Sequence, residues 1–406
     1  MKAKFIFILT VIIFISITCS REKKTDEIEW KGKIEYEGEI KVVKNPTNPL
    51  YGEIFLDLEE ELSIGNENDE NYMFHEAANI ATDSQGNIYV LDSGNFRIQK
   101  FDHSGQYLQT IGKKGQGPGE FENPSRVFLD TQDNIYVTDG GGKWRDSRLM
   151  KIFNSRGEFV KVIHLESPIS NFHVDSEGNI LANVSQRVER GTKRAVVKMN
   201  SEGKAIERVA EFSDVKVVTK KNSEMTSNFR ASHSYTPRLY FSPIDEQTFS
   251  YAYSLECQVF VIDNEGKLLL KIQKKEVPQS ISPSEKKYII EQLEENISRS
   301  GAKWPEGVLE EACNFPPSRP FFRRIIVDDM RRLFLWRVKS VLDRSEEGEF
   351  DVFNKEGYFV YRAKITVRPE IINKGFLYDI KEDEETGDVF IRRFRIKNWD
   401  QIKEGI

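Results

Sequence analysis

The stretch DSQGNIYVLD, residues 83–92, returns 47 residues later as DTQDNIYVTD, residues 130–139. A third copy, DSEGNILANV, occupies residues 175–184. Each copy has a turn-forming Asp, then Gly or Asp followed by Asn, and then an apolar run rich in strand-forming residues. Because Asp bonds its own backbone and Gly tolerates the positive φ of a tight turn, each copy predicts a β-hairpin.

The similarity between the first two copies extends without a gap over residues 64–94 and 111–141. Weaker copies of the turn lie at 244–253, 327–336 and 381–391, which makes six inner hairpins. A second hairpin signal, with Gly at a fixed place in the turn, occurs five times. Its copies are FDHSGQY (101–107), FNSRGEF (153–159), MNSEGKA (199–205), IDNEGKL (262–268) and FNKEGYF (353–359).

Six hairpins of the first kind and five of the second predict six four-stranded units, the last without its outer strand. Such units arranged radially form a β-propeller, and the two ends of the chain must join to close the ring. The segment EIFLDLEEELSIG, residues 53–65, is expected to supply the missing strand, because its LSIG aligns with QTIG at 109–112. The sequence therefore predicts an all-β, six-bladed propeller over residues 51–406, with seven blades as the alternative.

These residues resemble the NHL-repeat family and its TolB-like relatives among six-bladed propeller lipoproteins. The resemblance rests on the turn Asp, GNIYV.D at 86–92, N.RI.KF at 95–101 and G..G.GPG.F..P at 112–124. It is strong over 78–160, recognisable to about residue 270 and faint from 323. Related folds include lactonases and an amidating lyase that hold a divalent metal, but their ligand pattern transfers to no residue here.

The N-terminus has the pattern of a bacterial export signal. Lys2 and Lys4 precede an apolar stretch from Phe5 to Ile17, which is shorter than the roughly 20 residues of a membrane span. We predict a signal peptide at residues 1–18, followed by a lipid-anchored tether and linker at 19–50. The sequence SITC resembles a lipobox, which implies acylation of Cys19. The expected location is the cell envelope, at the outer membrane or periplasmic face, or secretion if Cys19 carries no lipid.

Residues 282–322 interrupt the strand pattern with a helical one. Ser282 is an expected N-cap, Pro283 takes the first helical position, and Glu285 completes a capping box. Apolar residues then recur at helical spacing, at Ile289, Ile290, Leu293 and Ile297. The pattern predicts a helical insertion between blades four and five. Two roles stay open for it, a functional loop or a plug that stabilises one face.

A candidate site follows from the repeat register. The residues four positions before each inner-turn Asp are Asn79, Arg126, Asn171, Phe241, Arg324 and Asp379. Five of these six are polar, and we expect them to ring the mouth of the central channel. The two arginines suit an anionic group, and Asp379 would balance them. His173, within an inner strand, joins the candidates. The alternative is that strand starts facing a wet channel are polar in any propeller.

The glycine-rich stretch GKKGQGPGEFENP, residues 112–124, looks like a phosphate loop, but its context excludes that reading. A phosphate loop opens a helix, whereas Pro118 interrupts this one and a strand follows. We interpret it as a connector between blades, with Phe121 as its packing anchor. Neither HExxH nor GxSxG occurs, so no catalytic residue is assigned. The net charge of -6 argues against a nucleic-acid binder.

The sequence thus favours a binding or assembly module for a protein, peptide or glycan, held to a membrane by its N-terminal lipid. The alternative function is a metal-dependent hydrolase, lactonase or lyase with its site at the channel mouth. No cofactor is assigned, and a divalent metal in the channel belongs to that alternative. Whether Cys257 and Cys313 pair stays open.

Overall fold

A computed structural model describes residues 29–66, 68–140, 148–188, 191–216, 218–221, 226–229 and 231–403. The predicted signal peptide and Cys19 lie outside these residues. Four strands precede the first blade: β1 (Lys33–Glu37), β2 (Ile40–Asn45), β3 (Glu53–Phe55) and β4 (Leu58–Ile64). No helix of the described chain has the length and apolar character that crossing a bilayer requires.

Blades one to three are sheets of four consecutive antiparallel strands. Blade one comprises β5 (Ala77–Thr82), β6 (Ile88–Asp92), β7 (Arg97–Phe101) and β8 (Tyr107–Ile111). Blade two comprises β9 (Arg126–Leu129), β10 (Ile135–Asp139), β11 (Leu149–Phe153) and β12 (Phe159–His164). Blade three comprises β13 (Ile169–Val174), β14 (Ile180–Val188), β15 (Gly191–Met199) and β16 (Ala205–Lys216). A hairpin, β17 (Val218–Lys221) and β18 (Thr226–Phe229), follows blade three.

Blades four to six continue the pattern, with N-terminal strands added. Blade four comprises β19 (Leu239–Pro243), β20 (Thr248–Tyr253), β21 (Gln258–Asp263) and β22 (Leu268–Lys274). Helices α1 (Pro283–Arg299) and α2 (Val308–Ala312) follow it. Blade five comprises β23 (Phe322–Val327), β24 (Leu333–Arg337), β25 (Gly348–Phe353) and β26 (Phe359–Ile365). Blade six comprises β27 (Pro369–Asn373), β28 (Phe376–Glu382) and β29 (Val389–Ile396), with a 3-10 turn at Trp399–Gln401 after it.

The six blades form a closed ring. The inner strand of each blade, meaning its first strand, contacts the inner strand of the next in the cyclic order β5, β9, β13, β19, β23, β27 and back to β5. The apolar core follows the same cycle, because each main cluster of buried side chains lies between two neighbouring blades. Between blades one and two, for example, the cluster joins Tyr89 and Leu91 to Val127 and Ile135. The prediction of six blades is confirmed.

The predicted closure of the ring is also confirmed. Strand β4 pairs antiparallel with β29, so that Ile64 lies opposite Ile391 and Leu58 opposite Ile396. The residues before β4 differ from the expected tether and linker over their described part. Strand β2 adds to blade four through β22, and β3 adds to blade five through β26, both in parallel. The N-terminal segment from β1 to β4 therefore covers or completes three successive blades.

The repeated turns have the geometry that their sequence predicts. In blade one, the Oδ1 atom of Asp83 accepts hydrogen bonds from the N–H groups of Gln85 (3.0 Å) and Asn87 (2.8 Å). Gly86 takes a φ of 82°, a left-handed value at which a side chain is strained. The second hairpins form at all five predicted places, each joining the third and fourth strands of a blade.

The sixth inner turn was predicted at the wrong place. The turn within 381–391 joins β28 to β29, the second and third strands, whereas the first hairpin of blade six turns at Lys374 and Gly375. Asp383 accepts hydrogen bonds from the N–H groups of Glu385 and Thr386, as an inner-turn Asp does. In both kinds of turn an Asp side chain accepts from nearby N–H groups, so the sequence of this turn resembles that of an inner turn although it pairs different strands.

The predicted helical insertion lies between blades four and five. The Glu285 N–H donates to the Ser282 hydroxyl (3.2 Å), and the Ser282 N–H donates to the Glu285 carboxylate (2.8 Å), which completes the predicted capping box. The hairpin β17–β18 was not foreseen. It packs on α2, where Val218 shares a buried cluster with Val308 and Leu309. Cys257 and Cys313 are both free thiols.

Candidate functional site

The central channel holds a cavity of about 610 Å³ at the point where the inner strands meet. Every blade contributes its inner strand to the lining, and β14 and β15 add Asn183 and Arg194. The connections that enter β19 and β23 carry the hairpin β17–β18 and the helices α1 and α2. Because inner strands run in one direction through a propeller, both insertions lie on the face where these strands begin.

The lining is strongly cationic. Among its described residues one carboxylate, Glu370, faces five guanidinium groups, which belong to Arg126, Arg194, Arg238, Arg323 and Arg324. Like charges that line one cavity repel each other. The lining therefore carries a positive charge that an anion would offset.

Glu370 is engaged by one of these arginines. The Arg324 Nη1 atom donates to Glu370 Oε1 at 2.7 Å, and Nη2 donates to Oε2, so the pair is bidentate. A fork of this kind is the geometry in which guanidinium binds a planar oxyanion. The pair joins blade five to blade six and engages the one carboxylate of the described lining.

Two of the lining arginines, Arg126 and Arg323, have a lowered pKa. The Arg126 side chain touches solvent inside the channel, yet it is enclosed by the channel wall. Desolvation and the nearby charge of Arg324 lower the pKa of Arg126, and Glu370 offsets this only in part. Desolvation and the positive charges of Arg368 and Arg324 likewise lower the pKa of Arg323, whereas Tyr240 opposes this shift. Both shifts arise first from burial of the guanidinium group and second from the positive charges of neighbouring arginines.

Two of the arginines are held in place by contacts with the wall. The Arg126 Nε–H donates to the Ser170 carbonyl at 3.2 Å, which links blade two to blade three. The Arg323 guanidinium lies 4.7 Å from the ring centroid of Trp336, which is buried. Stacking on an aromatic face orients a guanidinium plane while its edge stays available for hydrogen bonds. The channel thus presents preoriented donors.

Four of the predicted site residues line this cavity, namely Asn79, Arg126, Asn171 and Arg324. The two amides also join neighbouring blades. Asn79 Oδ1 accepts from the Val127 N–H at 2.9 Å, and Asn171 Nδ2 donates to the Phe241 carbonyl at 2.7 Å. These amides therefore position the wall, while the arginines supply its charge.

The structure places His173 elsewhere. Its ring is buried between Phe128 and Phe249, with both ring centroids at 5.0 Å. Neither imidazole nitrogen has a hydrogen-bond partner among the described residues. The side chain fills the space between blades, so its assignment to the channel lining was wrong.

The structure also places Asp379 elsewhere. It lies in β28, outside the cavity lining, and accepts from the Arg392 Nε–H at 3.0 Å. It was counted from the misassigned turn of blade six, which explains the error. Phe241 was also assigned from a turn position that is one residue too far along the chain. The turn of blade four closes from Ile244 N–H to Thr248 O, so Tyr240 takes the matching position.

The sequence reasoning missed Arg194, Arg238, Arg323 and Glu370. Two of them, Arg323 and Glu370, lie at β-bulges. Strand β23 shifts register between Phe322 and Arg324, and β27 shifts register between Pro369 and Ile371. A bulge inserts one residue and breaks strict alternation, so Arg323 and Glu370 join the channel wall. A run of polar residues at the strand start was the available signal. Arg194 lies in β15, the third strand of blade three, and no pattern in the sequence indicated that it would line the channel.

Burial of His173 predicts an acid-sensitive fold. Burial lowers the pKa of His173 from 6.5 to about 4. The unfolded chain then binds more protons than the folded one between these values, so the free energy of unfolding decreases as the pH falls from 6.5 to 4. The decrease due to this residue is on the order of 3 kcal/mol. Urea unfolding at pH 7 and pH 4.5 should show a smaller difference in His173→Leu. The exposed His103, changed to Leu, is the control, and an unchanged difference in His173→Leu would contradict the argument.

A family profile described as a 6-bladed beta-propeller, DUF5128, matches residues 67–262. That match covers blades one to three and part of blade four, and the ring of inner strands shows six blades in all. The chain is a six-bladed β-propeller. The resemblance to NHL-like propellers is confirmed at this level. No curated protein matches the sequence.

Solved structures with this fold are similar to the propeller over most of its length. A candidate exported protein of Bacteroides fragilis has 14% identity and a TM-score of 0.52, and the match covers 88% of this chain and 99% of that one. A duf4221 family member of Bacteroides vulgatus has 10% identity and a TM-score of 0.48, with 86% and 99% covered. A gluconolactonase of Xanthomonas campestris has 12% identity and a TM-score of 0.40, with 79% and 88% covered. At these identities the similarity shows the fold alone.

Proposed function

We propose that this propeller is an extracytoplasmic binding module that receives an anionic group of its ligand in the central channel. The observation that carries the proposal is the lining of the cavity, where five arginines face one carboxylate. Guanidinium groups donate paired hydrogen bonds to carboxylate, sulfate and phosphate. The ligand is therefore a protein, peptide or glycan that carries such a group.

Metal-dependent hydrolysis receives less support from the same residues. A divalent metal requires carboxylate, His or Asn ligands grouped at one point. Among the described residues no group of three or more His, Cys, Asp or Glu side chains could hold an ion. In the channel the one lining carboxylate is already bound by Arg324. The lining arginines are hydrogen-bond donors and suit an anion, so anion binding is proposed rather than metal-dependent hydrolysis.

The proposed location rests on the export signal at residues 1–18 and on the similar exported protein of Bacteroides fragilis. Acylation of Cys19 would hold the propeller at the membrane. Growth with radioactive palmitate followed by capture of the protein tests this part. Incorporation of label that persists in Cys19→Ala would overturn the lipid anchor and leave the channel proposal untouched.

Two substitutions should change anion affinity in opposite directions. Arg126→Gln removes a lining charge and should weaken citrate binding roughly tenfold at low ionic strength. Glu370→Gln removes the competing carboxylate, frees Arg324, and should tighten binding by a similar factor. Isothermal titration with citrate measures both. Arg156→Gln, an exposed residue in the outer turn of blade two, is the matched control. Equal affinity in all four proteins, or weaker binding by Glu370→Gln, would contradict the proposal.

A further inference from the structure

A second cavity lies beside the channel mouth. It has a volume of about 340 Å³ and is enclosed by helix α1 and the loop at 232–238. Arg238 lines both this cavity and the channel. The two spaces are therefore adjacent, and one ligand could contact Arg238 while it occupies both.

The helix presents a polar stripe to this second cavity. Tyr288, Gln292 and Asn296 all line it and are spaced four residues apart, so they lie on one face of α1. Hydroxyl and amide groups each donate and accept hydrogen bonds. This stripe can therefore satisfy a ligand surface that carries both donors and acceptors.

His233 adds an uncharged donor to the same cavity. Burial lowers the pKa of His233 to about 4, so the ring is neutral at pH 7. Its Nδ1 atom accepts from the Tyr235 N–H at 3.2 Å, which leaves the ring proton on Nε2. Apart from Arg238, the described lining of this cavity has no charged side chain. The channel and the side cavity thus differ in character, one cationic and the other neutral and polar.

The wall that carries the stripe is fixed to the propeller. The buried Tyr235 hydroxyl donates to the Glu285 carboxylate at 2.6 Å, and the Ser340 hydroxyl donates to the same oxygen at 2.7 Å. The Tyr235 oxygen in turn accepts from the Val341 N–H at 2.8 Å. Burial would raise the pKa of Glu285, but these hydrogen bonds and those from Ser282 lower it to about 2, so the carboxylate stays ionised. The first turn of helix α1 is therefore anchored to the loop at 232–238, which also carries Arg238.

We propose that the channel and the side cavity form one extended site for an acidic oligosaccharide. An anionic sugar unit lies in the channel against the arginines, and a neutral unit lies against Tyr288, Gln292 and Asn296. Sugar hydroxyls both donate and accept, as the stripe requires, and the described lining of the side cavity offers no carboxylate or cation for a charged peptide side chain beyond the shared Arg238. The inference rests on the proposed function and adds the ligand class.

Chain length of the ligand is the variable that tests this inference. Isothermal titration should show that sialyllactose, which has one acidic and two neutral units, binds at least about tenfold more tightly than sialic acid. Asn296→Ala and Gln292→Ala should each lower the sialyllactose affinity toward that of sialic acid and leave the sialic acid affinity unchanged. Ser298→Ala, an exposed polar residue of the same helix, is the control. Lactose 3′-sulfate, which carries a sulfate and no carboxylate, is titrated in parallel to separate sulfate from carboxylate recognition, and either acid supports the class.

The titrations distinguish a failure of the extended site from a failure of the proposed function. If sialic acid binds through Arg126 but length and the α1 substitutions have no effect, the extended site is overturned and the anion-binding channel stands. If triglutamate binds more tightly than every acidic saccharide, the ligand class is a peptide and the inference is wrong. If none of these acids binds, the proposed function fails together with the inference.

Discussion

We expect that a chain that begins at residue 66 will not form the cooperative fold of a chain that begins at Glu29. The shorter chain lacks β4, so blade six keeps three strands and β29 is left with an open edge. It also loses four buried aliphatic side chains, which are Val42, Val43, Leu56 and Ile64. Each such side chain stabilises a fold by about 1.5–3 kcal/mol, whereas a whole domain is stable by about 5–15 kcal/mol. The loss is comparable with the total.

Urea unfolding followed by tryptophan fluorescence measures this effect. A chain that begins at Glu53 is the intermediate case, because it loses β1 and β2 but keeps the strand that closes the ring. We expect its midpoint to lie below that of the chain from Glu29, and no cooperative transition for the chain from residue 66. Equal midpoints for the three proteins would show that the ring does not depend on its N-terminal strands.

Phe121→Ala is expected to destabilise the propeller by about 3–5 kcal/mol. The ring is fully buried and lies 5.7 Å from the Phe153 ring, in the cluster between blades one and two. Gly112 lies directly against it, since a Cβ at that position would be 2.1 Å from the Phe121 ring. The backbone closes over the ring, so little can move to fill the space that the substitution leaves.

The same residue type at the surface provides the control. Phe55 in β3 is 48% exposed, and Phe55→Ala should change the free energy of unfolding by less than about 1 kcal/mol. Gly112→Ala should destabilise as Phe121→Ala does, because its φ of 80° and the contact with Phe121 both oppose a side chain. A Phe121→Ala protein that unfolds at the wild-type urea concentration would contradict the anchor role.

The fold could be predicted because each repeat forms its turn through hydrogen bonds between residues that are close in sequence. Asp83 and Asp130 bond their own turns and are 47 residues apart, so the hairpins could be placed before any long-range contact was known. The connector at 112–124 was also readable. In the structure the Phe121 N–H donates to the Lys113 carbonyl at 2.7 Å and its ring packs in the core, as a connector requires.

The candidate site was only partly predictable, because it depends on pairing rather than on local sequence. Arg126 and Arg324 were found by register, but Asp379 was not in the channel, since its turn mimics an inner turn. Glu370 and Arg323 enter the wall through bulges, which a strict two-residue period does not anticipate. Arg238 joins two cavities through the insertion, and no single segment of sequence contains that relation.

The most direct test of the central claim is to locate a bound anion in the propeller. Selenate has the shape and charge of sulfate, and its selenium scatters anomalously. Crystals soaked in selenate should show an anomalous peak inside the channel, within hydrogen-bond distance of guanidinium groups among Arg126, Arg238 and Arg323. The peak should be lost in Arg126→Gln crystals. Selenate bound only at the outer surface, with an empty channel, would contradict the account.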